Sequence, residues 1–474
     1  MRLFLQEQLA EVGEKQPILK RTFITPMIAV AKDLPQSLTS EDIENVKTVV
    51  VHWEDLEKRL IDEINQETAA ANKLPVSMVA DEILWVFTRL GRFYKGQGLY
   101  QVAEFWYQKL VKVCQTLFTD DHPDVATSLN NLASLYDSQG KYSEAEPLYL
   151  DALEMTKRLF TGDHPDVAPS LNNLAALYNS QGRYSEAEPF YLDALKMTKR
   201  LFTSDHPDVA TSLNNLALFY HNQGKYSEAE PFYLDALEMR KRLFTGDHPD
   251  VANSLNNLAG LYYKQGRYSE AEPLLLDALE MTKRLFTGDH PDVASSLNNL
   301  AFFYKSQGKY SEAEPLYLDA LKMKRRLFTG DHPNVANSLN SLAVFYNSQG
   351  RYSEAKPLHL DALERRRRLF TGDHPDVASS LNNLAGLYDN QGKYSEAEPL
   401  YLDALAMSER TQGTNHLTTI TVRNNLQILQ QQLIPSPFYI GLLINLLTVL
   451  TLLLHRVQLL IKRIIIFSWR LFRR

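Results

Sequence analysis

The sequence predicts an all-α protein, a right-handed superhelical solenoid of stacked helix pairs. Three observations support this prediction. The string DHPDVA, written DHPNVA in one copy, recurs every 42 residues without an insertion. Within each copy, apolar residues recur at three- and four-residue spacing in two stretches, as they do on the buried face of a helix. A helix pair of this size cannot bury its apolar face alone, whereas stacked copies can.

The two ends of the repeat array differ in sequence pattern from its centre. Residues 1–78 read as a small N-terminal helical domain whose helices are broken by prolines. Those prolines are Pro17, Pro26, Pro35 and Pro75. Residues 79–120 form a degenerate unit, because Gln97-Gly98 lies 42 residues before Gln139-Gly140. Seven near-identical units then fill residues 121–414, and a terminal half unit fills 415–432.

Each full unit carries its own helix signals. In the first, Asp121 or His122 can cap the first helix, Pro123 suits its first turn, and Gly140 ends it in the left-handed conformation. The second helix is expected to begin with a capping box formed by Ser143 and Glu146. Small residues mark the place where the two helices cross closely. These are Ala133, Ala145 and Ala152.

The tail, residues 433–474, is hydrophobic and then basic. Phe438 to Leu454 is an uncharged run of 17 residues, the short limit for a membrane-spanning helix. Arg456, Arg463 and Arg470 follow seven apart, on one face of an amphipathic helix. We expect this tail to sit shallowly in an anionic membrane with both of its ends cytoplasmic. A helix that caps the last repeat is the alternative.

The amino-acid composition restricts the classes of partner and the cellular compartment that fit this protein. A hydrophobic content of 44% and a charged content of 23% are ordinary for a folded protein. The net charge of −7 argues against nucleic acid as a partner. Cys114 is the only cysteine, which fits a reducing compartment. The first residues lack the layout of a signal peptide, so a cytoplasmic location is expected.

The pattern HPDVA…LNNLA.LY..QG.Y.EAEP resembles the tetratricopeptide repeat in the 42-residue form of kinesin light chains. The resemblance covers roughly residues 79–432 and implies a scaffold that binds a protein partner in a concave groove. No heptad run precedes the repeats, which departs from kinesin light chains and their cargo-adaptor role. The segment FLQEQLAEVGEKQPILKRTF…AVAKDLP resembles the end of bacterial NB-ARC/STAND proteins. It implies the alternative that the chain is the sensor arm of a STAND-type ATPase acting in trans.

Two adjacent asparagines recur in the first helix of nearly every unit, although Asn costs about 0.5–0.7 kcal/mol relative to Ala in a helix. The resemblance places the second asparagine of each pair in the groove. There an amide can bond both the C=O and the N–H of an extended peptide. Ser341 interrupts the row. Alternatively, the asparagines bond neighbouring helices and hold the stacking register. The expected groove row is Asn131, Asn173, Asn215, Asn257, Asn299 and Asn383.

The units differ mainly at three sites on the asparagine side of the first helix. We expect these sites to form pockets that vary along the groove, drift at tolerant surface positions being the alternative. The groove residues chosen on this basis are Leu218, Tyr263, Phe302 and Lys305.

No catalytic or cofactor site is predicted. The DHP histidines occur once per unit, about 15–20 Å apart by helix packing distances, whereas zinc needs ligands at about 2 Å. No phosphate-binding loop, nucleophile elbow or zinc-protease motif occurs. The sequence therefore predicts a non-enzymatic protein-interaction scaffold without cofactor, metal or small-molecule substrate.

Overall fold

The protein was analysed as a computed structural model, which describes residues 76–433 and 437–471, with side chains for 84–433, 446–462 and 465. Nearly all of the expected N-terminal domain therefore lies outside the described residues. Every described element is an α-helix, and the helices are α1 (Val76–Gly96), α2 (Tyr100–Leu117), α3 (Pro123–Ser138), α4 (Tyr142–Leu159), α5 (Val167–Ser180), α6 (Tyr184–Leu201), α7 (Pro207–Asn222), α8 (Tyr226–Leu243), α9 (Pro249–Lys264), α10 (Tyr268–Leu285), α11 (Pro291–Ser306), α12 (Tyr310–Leu327), α13 (Pro333–Ser348), α14 (Tyr352–Leu369), α15 (Pro375–Asn390), α16 (Tyr394–Gln412), α17 (Leu417–Leu433) and α18 (Pro437–Leu471).

The helices α1 to α16 form eight antiparallel pairs that stack in chain order, which confirms the predicted solenoid. Each first helix packs along the second helix of its own pair, and each second helix packs on the first helix of the next pair. The small residues expected at the crossings, such as Ala133 and Ala145, are fully buried. Leucines such as Leu174 and Leu216 fill the space between pairs, so the core runs continuously along the stack.

The histidine of each DHP string except His164 is the N-cap residue of a first helix, whereas α5 begins after Asp166. The Nδ1 atom of His206, for example, accepts a hydrogen bond from the backbone N–H of Asp208 at 3.2 Å. Its ring also stacks on Phe202 with centroids 3.5 Å apart. Since Nδ1 accepts this bond, the neutral ring carries its proton on Nε2. The expectation that these histidines are cap residues is confirmed.

The expected capping box at the start of each second helix is wrong. Helix α4 begins at Tyr142, one residue before Ser143, so the serine lies inside the helix and cannot cap it. Its hydroxyl instead donates to Glu144 at 2.6 Å. Glu146 pairs with Arg183 of the following unit at 2.8 Å. The helix is therefore restarted by the tight turn at Gly140, where φ is +70°, rather than by a side chain.

In each full unit, an ion pair joins the aspartate that precedes the first helix to an arginine in the last turn of the second helix. The guanidinium of Arg242, at the end of α8, donates from Nε and Nη2 to the two carboxylate oxygens of Asp205, at 2.6 and 3.0 Å. The same bidentate pair recurs 42 residues apart along the array. These pairs hold the pKa of each aspartate below its ordinary value through the hydrogen bond from arginine.

The stack curves with its first helices inside. First helices of successive units, such as α9 and α11, contact each other more closely than the second helices do. Beyond α17, the helix α18 runs for 35 residues, and its described side chains, including Leu454 at 58% and Arg456, are exposed. In this structure they do not cover the last repeat. Among residues with described side chains, no helix is both long and apolar enough to cross a membrane.

Candidate functional site

The inner surface of the curve is formed by the odd-numbered helices α3 to α15, and the expected groove residues lie on it. The second asparagines of the pairs are half-buried, apart from the exposed Asn299. They are therefore beside the packed core rather than within it, as the sequence predicted. Successive second asparagines lie on successive inner helices and form a row along the inner surface.

The asparagines also bond one another across units. The Nδ2 atom of Asn257 donates to Oδ1 of Asn214 at 3.0 Å, and Asn299 donates to Asn256 at 3.3 Å. The first asparagines donate onward to serines of the next inner helix, as Asn256 does to Ser296 at 3.4 Å. The alternative expected from the sequence, that the amides hold the stacking register, is thus realised by these bonds.

The register bonds of Asn257 and Asn299 leave part of each of these two amides without a partner. A side-chain amide offers two N–H donors and one oxygen with two lone pairs. Asn257 uses one N–H in the bond to Asn214. Its oxygen and second N–H have no hydrogen-bond partner among the described residues. One amide can therefore fix the helix register and still bond a peptide backbone.

An apolar patch lies at the centre of the inner surface. Leu218 on α7 and Phe302 on α11 are large apolar side chains that are 41% and 45% exposed. Gly260 on α9 lies between them, and a Cβ added there would meet only His221, at 3.8 Å. The ring of Tyr263 meets Phe302 edge-on with centroids 5.3 Å apart. The missing side chain at Gly260 thus leaves a depression whose one neighbour within 4 Å is His221.

A cation borders this patch. The Nζ atom of Lys305 lies 6.0 Å from the centroid of the Phe302 ring. Burial lowers the pKa of Lys305 from its ordinary value. The lysine forms no ion pair with the acidic residues of the described part of the chain, so a carboxylate of a ligand would stabilise its charged form.

The structure adds an inner residue that the sequence reasoning missed. The ammonium of Lys95 on α1 donates to the backbone carbonyl and the hydroxyl of Ser134, at 2.9 and 2.6 Å. Burial lowers the pKa of Lys95 to about 8 and raises that of the neighbouring Asp137 to about 6. Lys95 stands 42 residues before Asp137, so extending the repeat register into the degenerate unit would have identified it.

The remaining chemistry of the inner surface is limited. No group of three metal-ligating side chains occurs among the residues that the structure describes. Cys114 is fully buried, and burial raises the pKa of its thiol to about 12, which keeps it protonated. The inner helices carry amides, apolar side chains and scattered charges.

Helix pairs that stack in chain order with their first helices inside define the class of superhelical repeat scaffolds. The family model of the tetratricopeptide repeat matches residues 82–158, 139–200, 208–284, 292–356, 334–410 and 376–433. The chain belongs to the tetratricopeptide repeat family. This confirms the resemblance drawn from the 42-residue pattern. None of the curated proteins matches the chain.

Solved structures with a similar fold include BtubC (BKLC) from P. vanneervenii, with 24% identity over 52% of this chain and 92% of that one and a TM-score of 0.38. A putative kinesin light chain of Podosopora anserina, with nearly identical TPR-like repeats, has 25% identity over 44% of this chain and 99% of that one, with a TM-score of 0.36. A STAND protein with a tetratricopeptide repeat sensor from Pyrococcus horikoshii has 15% identity over 75% and 52% of the two chains, with a TM-score of 0.44.

Proposed function

We propose that this chain is a non-enzymatic scaffold that binds an extended peptide along the inner surface of its repeats. The observation that carries the proposal is the recurring row of second asparagines, from Asn131 to Asn299 and again at Asn383. Asn257 and Asn299 each donate one hydrogen bond to the neighbouring unit and keep a second N–H and the oxygen for a ligand. Because an amide bonds any peptide backbone, the row grips a chain irrespective of its side chains.

The central patch supplies the sequence preference. Leu218, Tyr263 and Phe302 surround the depression above Gly260, which fits one bulky apolar side chain of the peptide. Lys305 adjoins it and favours a carboxylate on a neighbouring residue of the ligand. The scattered charges elsewhere, including Asp137 and Lys95, set the direction in which a charged peptide lies.

We further propose that the tail holds this scaffold at the cytoplasmic face of an anionic membrane. The described part of α18 exposes Leu446, Leu454 and Ile461 to solvent, at 64%, 58% and 50%. Apolar surface of that extent is favourable only against a membrane or another protein. Arg456 and Lys462 are exposed on the same helix and suit anionic headgroups. Phe438, Arg463 and Arg470 are also expected to contact the membrane, and their side chains lie outside the described residues.

The peptide proposal is tested by selecting ligands from a randomised 12-residue display library on the full chain, and then measuring their dissociation constants. Replacing Asn215, Asn257 and Asn299 by Ala should weaken binding at least tenfold, because three backbone hydrogen bonds contribute about 0.5–1.5 kcal/mol each. The helical circular dichroism of this variant should stay unchanged.

The matched control replaces the first asparagines, Asn214, Asn256 and Asn298, by Ala. This variant breaks the same amide contacts between units, from Asn257 to Asn214 and from Asn299 to Asn256. It leaves the second amides in place. If both triple variants lose the same affinity, the asparagines act only through the helix register and the groove proposal is wrong.

A further inference from the structure

Successive turns of the superhelix touch each other. The Nε2 atom of His332, at the start of α13, donates to the backbone carbonyl of Gly96, at the end of α1, over 2.8 Å. One unit later, His374 donates to the carbonyl of Ser138 over 3.2 Å. Both contacts join residues 236 positions apart. The stack therefore completes one turn in about 5.6 units of 42 residues.

The contacts recur at each unit where the turns overlap. The ring of Tyr100, at the start of α2, stacks on Phe370 with centroids 5.6 Å apart. A Cβ added to Gly98 would lie 2.8 Å from the ring of Pro333. A Cβ added to Gly182 would lie 3.1 Å from His416. At the equivalent glycines of the next units, such as Gly224 and Gly266, nothing lies within 4 Å.

The chain contains its own comparison for these histidines. His206 and His248 cap their helices in the same way but keep about a third of their side chains exposed, at 34% and 33%. His332 and His374 are only 4% and 6% exposed. All four accept the same backbone N–H at Nδ1. The buried pair differ because the Nε2 proton meets a carbonyl of the other turn.

The contacts between successive turns of the superhelix are weaker than the packing between neighbouring units. Neighbouring units share a continuous apolar core, whereas the turns meet through loop edges, histidine–carbonyl bonds and the Tyr100 ring. Where the turns touch, a ligand can reach the inner surface only along the axis of the superhelix. Separating the turns would open a lateral path while leaving each helix pair intact.

We propose that these junctions are a latch that holds the superhelix closed, and that its opening admits an extended partner to the inner surface. The closed and open forms differ by the contacts of His332, His374 and Tyr100. The gating half of the proposal rests on the peptide-binding function proposed above. The latch itself does not, because it is defined by contacts within the chain.

The latch is tested by a distance measurement across the junction. Gln101 and Thr329 line the cleft between the two turns from opposite sides. Nitroxide labels on Gln101→Cys and Thr329→Cys can be attached selectively, since Cys114 is buried. Pulsed electron–electron double resonance on the full chain should give a short distance between the two nitroxides in the otherwise unchanged protein.

The variant H332A/H374A should shift that distance to a longer and broader distribution. The control H206A/H248A loses the same two helix caps and the same two phenylalanine stacks, and should keep the short distance. Equal distributions in the two variants would overturn the latch. Should H332A/H374A lose its helical circular dichroism, Tyr100→Ala against Tyr310→Ala makes the same comparison without touching a cap.

Gating is read separately, from the association rate of a selected 12-residue peptide. The latch variant should bind it severalfold faster, in proportion to the increase in the open fraction. An unchanged rate with an opened distance would refute gating and keep the latch. If no peptide is selected at all, the peptide-binding function fails while the distance measurement still decides the latch.

Discussion

Lys324 is a buried cation in the last turn of α12, and we predict that removing its charge stabilises the protein. Other units place a threonine at this position, such as Thr282, whose hydroxyl bonds the carbonyl of Leu279 at 3.0 Å. Lys324 is 6% exposed and has no hydrogen-bond or ion-pair partner among the described residues. The hydroxyl of Ser338 on the next helix is likewise buried without a partner.

The arginines at the same position of two other units show what the lysine lacks. Arg240 donates to the hydroxyl of Ser254 at 2.7 Å and to the carbonyl of Asp250 at 3.2 Å. Arg366 bonds Ser380 in the same way, at 2.6 Å. The shorter lysine makes neither bond, so its charge is desolvated without compensation.

The magnitude follows from the pKa. Burial lowers the pKa of Lys324 from 10.5 to about 8. One pKa unit corresponds to about 1.4 kcal/mol, so the charge lowers the free energy of unfolding at pH 7 by about 3 kcal/mol. Between pH 8 and 10.5 the unfolded chain holds a proton that the folded chain has lost. The free energy of unfolding therefore rises with pH across that window.

The substitution Lys324→Met keeps the length of the side chain and removes the charge. It should raise the free energy of unfolding by about 2–3 kcal/mol at pH 7 and by less than about 1 kcal/mol at pH 10. Urea unfolding followed by circular dichroism, with hydrogen exchange of the α12 amides, measures both values. Lys322→Met is the control, since Lys322 is 65% exposed on the same helix. A destabilised Lys324→Met at pH 7, or a gain independent of pH, would refute the reasoning.

Two further predictions concern the glycine turns between the helices of a pair and the C-terminal tail. Gly266→Ala should cost about 1–2 kcal/mol of unfolding free energy in urea, because φ is +76° and the added methyl meets nothing. Gly98→Ala, with φ +72° and a contact at 2.8 Å to Pro333, should cost more and lengthen the Gln101–Thr329 distance. Deleting residues 436–474 should abolish sedimentation with phosphatidylserine vesicles. High salt should release the intact chain only partly, because apolar burial persists after the charges are screened; complete release would refute an apolar seat.

The sequence alone was sufficient for the fold, because the 42-residue period and the helical spacing of apolar residues restrict the packing to one kind of stack. It also placed Asn257 and its equivalents beside the core. It could not reveal the bond from Asn257 to Asn214, since that bond depends on the rotation between units. The capping box failed because Ser143 fits the pattern equally well one residue inside the helix.

The contacts between turns lay beyond any local pattern for the same reason. A small rotation per unit accumulates over five to six units before His332 reaches Gly96. The sequences around His206 and His332 are nearly the same. Yet His332 is only 4% exposed, whereas the side chain of His206 is 34% exposed. Their difference arises from position in the superhelix and not from the neighbouring residues.

The sixth unit, residues 331–372, joins the two proposals. Ser341 replaces its second asparagine, and its first asparagine, Asn340, bonds Nδ1 of the buried His359 at 3.0 Å. The unit thus lacks a second asparagine, so the continuous row ends at Asn299 on α11. The same unit supplies His332 to the junction with α1. One of the two units that close the superhelix is therefore the one that interrupts the row, and a ligand gripped by α3 to α11 would reach as far as the latch.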